Sequence, residues 1–353
     1  MPARSALTMP GLFGERRTAS VRSTGRLQQR LIPLLLGLLA LLSFAVALLS
    51  PPSGAFIAGA MLRGTEIVGE AFPKRLIDPL GRELEIAVPP RRIASGTLAG
   101  DEMLAELVAP ERVVAVSHLV DDPHNSNVPG HYPPSTPRIP LGIEDLLAPQ
   151  PDLVVVSSTS DALTVRLLLS AGVAVVRVAG YDSFAEIAEN LRLLGTILGV
   201  EDGAAAVIAE MRGRIAAVQQ RVATRDRPRV LFLLSRDGST GGPGSLTDEM
   251  IDLAGGYNII RETGITGHRR ITAELAIALQ PEVILVADWS GRGAAATDWL
   301  RETPAWQSVP AVRNDRLYSL PGAWVTSGSQ FRVAGVEALA ERLHPEVFRD
   351  DPL

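Results

Sequence analysis

The stretch 118–132 concentrates groups that can bind a metal: three of the five histidines of the chain, two aspartates and a tyrosine. Imidazole, carboxylate and phenolate groups are ligands of iron and of other transition metals. The prolines and asparagines of the same stretch are equally typical of a polar surface loop with solvated histidines. We expect His118, His131 and Tyr132 to contact a ligand, and the sequence leaves open whether any of them touches a metal.

Further candidate ligand contacts follow predicted strands in the second half of the chain. Arg236 comes just after a strand at Val230–Leu234, and its planar guanidinium matches a carboxylate or phosphate group. The alternative is a surface ion pair between Arg236 and its neighbour Asp237. Trp289 and Trp324 lie on predicted loops, where an indole ring offers a flat apolar face to a macrocycle.

Two more polar residues complete the predicted set of ligand contacts. Ser158 directly follows the predicted strand Leu153–Ser157. His268, beside Arg269 and Arg270, is expected to face the histidine-rich loop from the other half of the chain. A few such polar groups in a cleft are what orients a bound ligand.

Glu144 and Glu274 occupy equivalent places in the two halves of the chain. Each begins a short predicted helix that leads into Pro151-Asp152 or Pro281-Glu282 and then into an apolar strand. A carboxylate at a helix N-terminus stabilises the helix by about 0.3–1 kcal/mol, which is one explanation. The repeated context favours a functional role for the pair, for which Asp145 competes with Glu144.

Alternating strands and helices must position these residues. Strand patterns at Val113–Ser117, Leu153–Ser157 and Val173–Val178 alternate with helical stretches, and the pattern restarts after Arg227-Pro228. This alternation predicts mainly parallel sheets that are covered by helices on both faces. A helix from about Gly203 to Ala223 is predicted between the two halves. The expected fold class is α/β, with two Rossmann-like α/β lobes joined by one long helix.

The first sixty residues are predicted to be an export signal. They carry six arginines and one acid, and Leu31 to Leu49 is an uncharged run of 19 residues, about 28 Å long as a helix. The arginines precede this run, which fits a cytoplasmic N-terminus. Ala58-Gly59-Ala60 is a small-x-small cleavage pattern. We expect cleavage near Ala60, with an uncleaved membrane anchor as the alternative, and a periplasmic location in either case.

The expected organisation has five segments. They are a signal peptide or N-terminal anchor (1–60), a segment with an entry hairpin (61–90), a first α/β lobe (91–201), the connecting long helix (202–226) and a second α/β lobe (227–348).

Composition excludes several classes of protein. The chain has 353 residues, of which 46% are hydrophobic, enough for substantial cores. The absence of cysteine excludes a disulfide scaffold, a cysteine-ligated metal site, a cysteine nucleophile and an acylated-cysteine anchor. Beyond residue 60 the chain carries 28 basic and 38 acidic residues, which argues against nucleic acid or an anionic membrane surface as a partner.

Motifs of common enzymes are absent from the sequence. The Gly-rich run at 241–244 is not followed by the Gly-Lys-Ser/Thr of a phosphate loop, and there is no nucleophile elbow and no His-Glu-x-x-His. We therefore expect a binding protein that is not an enzyme. The alternative is a membrane-anchored two-lobe enzyme that uses a metal bound by the histidine-rich loop.

Residues 76–348 resemble the class III periplasmic substrate-binding proteins of ABC importers, which carry ferric siderophores, haem or cobalamin. The likeness is carried, in order, by DPLGRELEIAVPPRRIAS, ERVVAVS, LGIEDLLAPQPDLVVVSS, GSLTDEMIDLAGGYNII, ITAELAIALQPEVILV, VRNDRLYSLPG and LHPEVF. The resemblance implies a monomer without a cofactor of its own that holds such a metal complex between its lobes. It also implies that Glu144 and Glu274 pair with arginines of a permease dimer, which works with an ATPase. One rigid connecting helix permits only a modest change of angle between the lobes.

Overall fold

The computed structural model describes residues 56–58, 66–69, 71–77, 83–140, 142–178 and 181–349. The apolar run Leu31–Leu49, predicted to be a signal or an anchor, lies outside these residues. Within the described ranges, no helix is both long enough and apolar enough to cross a bilayer.

Strands are numbered in chain order. They are β1 (Phe56–Ala58), β2 (Glu66–Val68), β3 (Lys74–Ile77), β4 (Glu83–Ile86), β5 (Ile93–Ser95), β6 (Val113–Ser117), β7 (Arg138–Ile139), β8 (Leu153–Ser157), β9 (Ala174–Val178), β10 (Arg229–Leu233), β11 (Ser239–Gly241), β12 (Tyr257–Asn258), β13 (His268–Arg270), β14 (Val283–Asp288) and β15 (Leu317–Pro321).

Helices are numbered in the same way. They are α1 (Leu98–Leu107), α2 (Ile143–Leu147), α3 (Ala162–Ser170), α4 (Phe184–Leu198), α5 (Glu201–Val222), α6 (Leu246–Leu253), α7 (Ala273–Ala278), α8 (Asp298–Glu302), α9 (Pro310–Arg313), α10 (Gly322–Thr326), α11 (Val333–Leu343) and α12 (Pro345–Phe348). Short 3₁₀ segments occur at Pro110–Arg112, Ile259–Thr263, Gly293–Thr297, Pro304–Ser308 and Gln330–Arg332.

Two parallel sheets organise the described chain. The first has the spatial order β1-β9-β8-β5-β6-β7, and the second has the order β12-β10-β14-β15. We call each sheet with its helices the first lobe and the second lobe. All strand pairs within these two sheets are parallel, so the predicted α/β class with two lobes is confirmed.

Alternation of buried side chains explains why each sheet is covered on both faces. In β8, Leu153 and Val155 face one hydrophobic cluster, whereas Val154 and Val156 face another. This two-residue period follows from the pleat of a strand. The cluster of Leu153 and Val155 continues through α5 to Leu285 of β14, so a single core joins the two lobes.

The long connecting helix is α5, which at 22 residues is about 33 Å long. It was predicted from about Gly203 to Ala223. The side chains that it buries recur at helical spacing: Ala204, Ile208, Met211, Ile215, Val218 and Val222. Arg214 on its flank makes two hydrogen bonds to Glu337 of α11, of 2.8 and 2.6 Å. The helix is thus packed along one side, which limits bending between the lobes.

The predicted entry hairpin is present as β3 and β4, which pair antiparallel between Lys74↔Ile86 and Ile77↔Glu83. Strand β2 adds to the other side of β3. Strand β1 pairs in parallel with β9, from Phe56↔Val175 to Ala58↔Arg177. Because β1 precedes the predicted cleavage position near Ala60, a chain cut there would lose this strand.

Candidate functional site

The carboxyl ends of the parallel strands carry the loops where α/β folds bind ligands. In the first lobe, the ends of β5, β6 and β8 surround a cavity of about 390 Å³. Its polar lining consists mainly of hydroxyl groups: Thr97, Ser117, Ser157, Thr159, Ser160 and Thr164. Ser158 is exposed on the same loop, between two of these lining residues. This cavity offers hydrogen bonds from neutral groups.

The second lobe has its own cavity, of about 360 Å³, beyond the end of β10. Arg236 lies on its rim, with its guanidinium carbon 5.6 Å from the ring centre of Trp299. The expected alternative, an ion pair of Arg236 with Asp237, is wrong, because Asp237 pairs instead with Arg270 at 2.6 Å. Arg236 is therefore an exposed cation held over an aromatic face.

A third cavity, of about 490 Å³, lies where the histidine-rich loop of the first lobe meets the second lobe. Its lining includes His124, Asp288 and Trp324. The backbone of the loop is joined to α10, since the amide of Ala323 donates to the carbonyl of His124 at 2.9 Å. The loop therefore spans the gap between the lobes.

Gly291 gives His124 the space that it occupies. A Cβ atom at Gly291 would lie only 2.3 Å from Cε1 of His124. Gly291 also has a φ of +66°, in the left-handed region that favours glycine. His124 was not among the predicted contacts, and only the fold distinguishes it from the other two histidines of the loop.

His118 and His131 are both exposed to solvent. The ring of His131 packs edge-on against Tyr132, with 4.9 Å between the ring centres. Within the described ranges, no group of three or more histidine, cysteine, aspartate or glutamate side chains could hold a metal ion.

Tyr132 corrects an expectation. It is 1% exposed and packs in the core of the first lobe, where its hydroxyl donates to the backbone carbonyl of Asp101 at 2.5 Å. Burial, together with the neighbouring acids Asp101 and Glu102, raises the pKa of this phenol far above its usual range. An aromatic residue at the end of a polar loop closes the core here, and it does not present its hydroxyl to a ligand.

Trp289 and Trp324 lie near the boundary between the lobes. Trp289 follows β14, is 42% exposed, and donates from Nε1 to the carbonyl of Leu234 at 2.8 Å. Its ring packs against Gly322, which in turn lies next to the backbone of His124. Trp289 is thus a fixed indole with an uncovered face.

His268 lies on β13 and is exposed. Partial burial of the ring and the positive charge of Arg332 lower the pKa of His268, whereas the negative charge of Asp182 in the first lobe opposes this shift. Arg332 itself is 5% exposed, and burial lowers its pKa to about 9. Charged groups of both lobes therefore influence His268, and its position opposite the histidine-rich loop stays a prediction.

Glu144 and Glu274 are both exposed, and each is the second residue of a short helix, α2 or α7. Thr272 caps α7 by accepting from the amide of Leu275 at 3.3 Å, whereas α2 starts at Gly142 without a side-chain cap. The amide and hydroxyl groups at the start of α7 lower the pKa of Glu274. Both acids are therefore available to a partner.

Other functional candidates were not found from the sequence. Asp101, Glu102 and Arg332 are almost completely buried polar residues. The sequence signal for the two acids is weak, because their helix also carries a third acid, Glu106, which is exposed.

Comparisons with known proteins agree with this geometry. The sequence profile of the family described as "Periplasmic binding protein" matches residues 93–323. The chain is 25% identical over 295 residues to the uncharacterized ABC transporter substrate-binding lipoprotein YvrC of Bacillus subtilis, covering 80% of this chain and 88% of that protein. It is 29% identical over 258 residues to a cobalamin-binding protein of Halobacterium salinarum, covering 70% of this chain and 66% of that protein.

Among solved structures, a periplasmic haem-binding protein of Pseudomonas aeruginosa superposes with a TM-score of 0.63 at 25% sequence identity. The match covers 75% of this chain and 95% of that structure. The alternative of a metal-dependent enzyme is therefore wrong. This chain belongs to the periplasmic binding protein family and is the substrate-binding, non-enzymatic component of an ABC transporter.

Proposed function

We propose that the protein captures a metal complex with a large organic framework, namely cobalamin, a ferric siderophore or haem, between its two lobes. It then delivers this complex to the permease dimer of an ABC importer and its ATPase. The observation that carries the proposal is Trp289, whose indole is fixed at the lobe boundary with 42% of its surface exposed.

An uncovered indole in a cleft suits a flat or bulky apolar ligand. Aromatic side chains contribute large contact areas and stack on ring systems. A bare ion would gain little from this surface. Trp324 and His124, which line the cavity next to Trp289, extend the same wall.

Polar contacts would come from both lobes. On the second lobe, Arg236 and His268 supply a cation and an imidazole, and Arg236 has its guanidinium free to form a fork with a carboxylate or phosphate. On the first lobe, Ser158 and the hydroxyl-lined cavity supply neutral donors. His118 and His131 are exposed on the loop between them. This distribution favours a ligand whose acidic groups face the second lobe.

Docking to the permease would use Glu144 and Glu274. Their equivalent positions on exposed short helices allow a two-fold partner to bind one acid of each lobe. The protein would act as a monomer in the periplasm, with its N-terminal segment either removed as a signal or retained as a membrane anchor.

A titration of the purified protein tests this function. The ligand panel is cyanocobalamin, haemin, a ferric hydroxamate and a ferric catecholate, with molybdate as a small anionic control. We expect one member to quench tryptophan fluorescence with a dissociation constant of about 1 μM or lower, equivalent to about −8 kcal/mol. Failure of every metal complex to bind at this level would contradict the proposal, and tight binding of molybdate alone would replace it with an oxyanion carrier.

A further inference from the structure

Glu102 is a carboxylate buried between the two lobes. It lies on α1 of the first lobe and is 0% exposed. Its Oε1 accepts two hydrogen bonds from Asn127 of the same lobe, one from the amide at 2.8 Å and one from Nδ2 at 2.9 Å. Its Oε2 accepts from the hydroxyls of Ser327 and of Ser329, the latter at 2.6 Å. Oε1 thus accepts hydrogen bonds from the first lobe, and Oε2 accepts them from the second.

Neighbouring hydrogen bonds join the same two segments. Nε2 of Gln330 donates to the backbone carbonyl of Glu102 at 3.0 Å, and Nδ2 of Asn127 donates to the carbonyl of Ala323 at 3.0 Å. The hydroxyls of Ser327 and Ser329 also lie 2.7 Å from each other. We call Glu102, Asn127, Ser327, Ser329 and Gln330 the interlobe cluster.

Stabilisation of the interface between the lobes does not by itself explain the interlobe cluster. Burying a carboxylate is costly, and apolar side chains of similar volume would usually stabilise an interface as well or better. All four donors to the Glu102 carboxylate are neutral groups. What the directed hydrogen bonds provide is a defined geometry. The two bonds from Asn127 fix the orientation of the carboxylate, and the two from Ser327 and Ser329 are then satisfied only at one placement of these serines relative to α1.

We propose that Glu102 is a positioning residue that holds the two lobes at one angle before any ligand binds. The shared hydrophobic core along α5 allows small sliding movements, since packing contacts have little directionality. The carboxylate restricts these movements by accepting bonds from both sides. A fixed angle in turn fixes the spacing of Glu144 and Glu274, and this last consequence rests on the proposed function.

Distance measurements between the lobes test the role of Glu102. The chain contains no cysteine, so two introduced cysteines will be the only sites that a thiol-reactive spin label modifies. Ala148→Cys and Ala278→Cys put one label at the exposed end of α2 and one at the exposed end of α7. Pulsed electron paramagnetic resonance of the ligand-free protein then gives the distribution of distances between the labels on α2 and α7.

Removal of the second-lobe donors is the decisive change. In the Ser327→Ala/Ser329→Ala variant we expect the distance distribution to widen by about two-fold, since the carboxylate of Glu102 loses both of its donors from the second lobe. Glu102→Gln should keep nearly the original width, because an amide of the same shape can accept from Asn127 and donate to the serine hydroxyls. Ser308→Ala, a change of an exposed serine on the second lobe, is the matched control.

An unchanged width in the double serine variant would overturn the proposal, as would equal widening in the Ser308→Ala control. If the double variant does not fold, Ser329→Ala alone decides, and the same two outcomes apply. The measurement uses neither ligand nor permease. A failure of Glu144 and Glu274 to affect uptake would therefore contradict docking without affecting the conclusion on Glu102.

Discussion

Gln150 and Gln280 adopt the same left-handed backbone conformation at the same point of the two lobes, with φ values of 51° and 50°. Each follows one of the short helices α2 and α7 and precedes a proline and a buried strand. A left-handed conformation is unfavourable for residues other than glycine. Its occurrence at both positions shows that the two lobes turn from helix to strand through the same local backbone conformation.

Equivalent hydrogen bonds stabilise the two turns at Gln150 and Gln280. Arg92, before β5, donates from its guanidinium to the carbonyl of Pro149, and Arg229, at the start of β10, donates from its guanidinium to the carbonyl of Leu279 at 2.8 Å. In addition, Asp152 accepts from the amide of Arg92 at 3.0 Å and Glu282 from that of Arg229 at 2.8 Å. The turns that follow the helices of Glu144 and Glu274 are therefore tied to the neighbouring strands.

Substitution of Glu144 and Glu274, the proposed docking acids, should abolish transport without affecting ligand affinity. Removal of one partner from a charge pair at a partly desolvated interface costs about 2–5 kcal/mol. We expect Glu144→Ala and Glu274→Ala each to weaken binding to the permease, and the double variant to stop uptake. Asp145→Ala tests the neighbouring acid, and Glu302→Ala, on the exposed end of α8, is a control. Normal uptake by the double variant would show that docking uses other residues.

Trp289 should account for much of the fluorescence change on ligand binding. Loss of the exposed ring in Trp289→Ala should raise the dissociation constant of the tightest-binding ligand of the panel by about ten-fold, equivalent to about 1.4 kcal/mol. Trp289→Phe keeps an aromatic face and should lose less affinity. Trp299→Phe changes an indole in the second-lobe cavity and serves as the comparison. Equal quenching in wild type and Trp289→Phe would show that the ligand does not bind next to this ring.

The pH dependence of stability should report on Asp101. This side chain is 0% exposed, and burial raises its pKa well above the usual value, although the amide of Ser117 donates to Oδ2 at 3.1 Å. The unfolded chain therefore loses this proton at lower pH than the folded protein. The free energy of unfolding should fall as the pH rises from about 4, with a slope of at most about 1.4 kcal/mol per pH unit from this group.

Denaturant unfolding between about pH 2 and pH 8 measures this effect, because Asp101 acts above about pH 4 and the control Asp121 below it. Asp101→Asn should show a flatter profile than wild type and equal or higher stability at neutral pH. Asp121→Asn provides a control of opposite sign, because a hydrogen bond from Arg138 lowers the pKa of Asp121 and its contribution disappears in acid. Parallel profiles for wild type and Asp101→Asn would mean that Asp101 titrates normally.

The contact between Gly291 and His124 can be tested with a matched glycine. Gly293 also has a positive φ, of 56°, but a Cβ atom there would meet nothing within 4 Å. Gly293→Ala should therefore cost about 1 kcal/mol from backbone strain alone. Gly291→Ala should cost about 1–3 kcal/mol more, because the new methyl group displaces His124.

A double-mutant cycle separates strain from displacement at this contact. The difference between the two alanine variants should largely vanish in a His124→Ala background. Thermal or denaturant unfolding of the variants gives the four free energies. If the difference persists without the imidazole, the backbone rather than His124 limits the space at Gly291.

Elements with strong local patterns were predicted well. The continuous apolar run Leu153–Val156 and the one-sided apolar face of α5 specify a buried strand and a packed helix, whatever the rest of the chain does. The helices that carry Glu144 and Glu274 were also located, because the pattern of acid, short helix and proline is local. Short strands such as β7, β11, β12 and β13 were not predicted, since two or three residues become a strand only through a distant partner.

The amino-acid sequence by itself determined the α/β class, the two lobes, the connecting helix and the positions of the two exposed acids, because periodicity, turns and helix starts act over a few residues. Only the tertiary structure decided which histidine of the loop reaches the second lobe, that Tyr132 closes a core, and that Glu102 is shared between the lobes. These outcomes depend on what another part of the chain places opposite each side chain: Gly291 opposite His124, the carbonyl of Asp101 opposite Tyr132, and Ser327 and Ser329 opposite Glu102. Such partners are up to 227 residues away in sequence, beyond the reach of any local pattern.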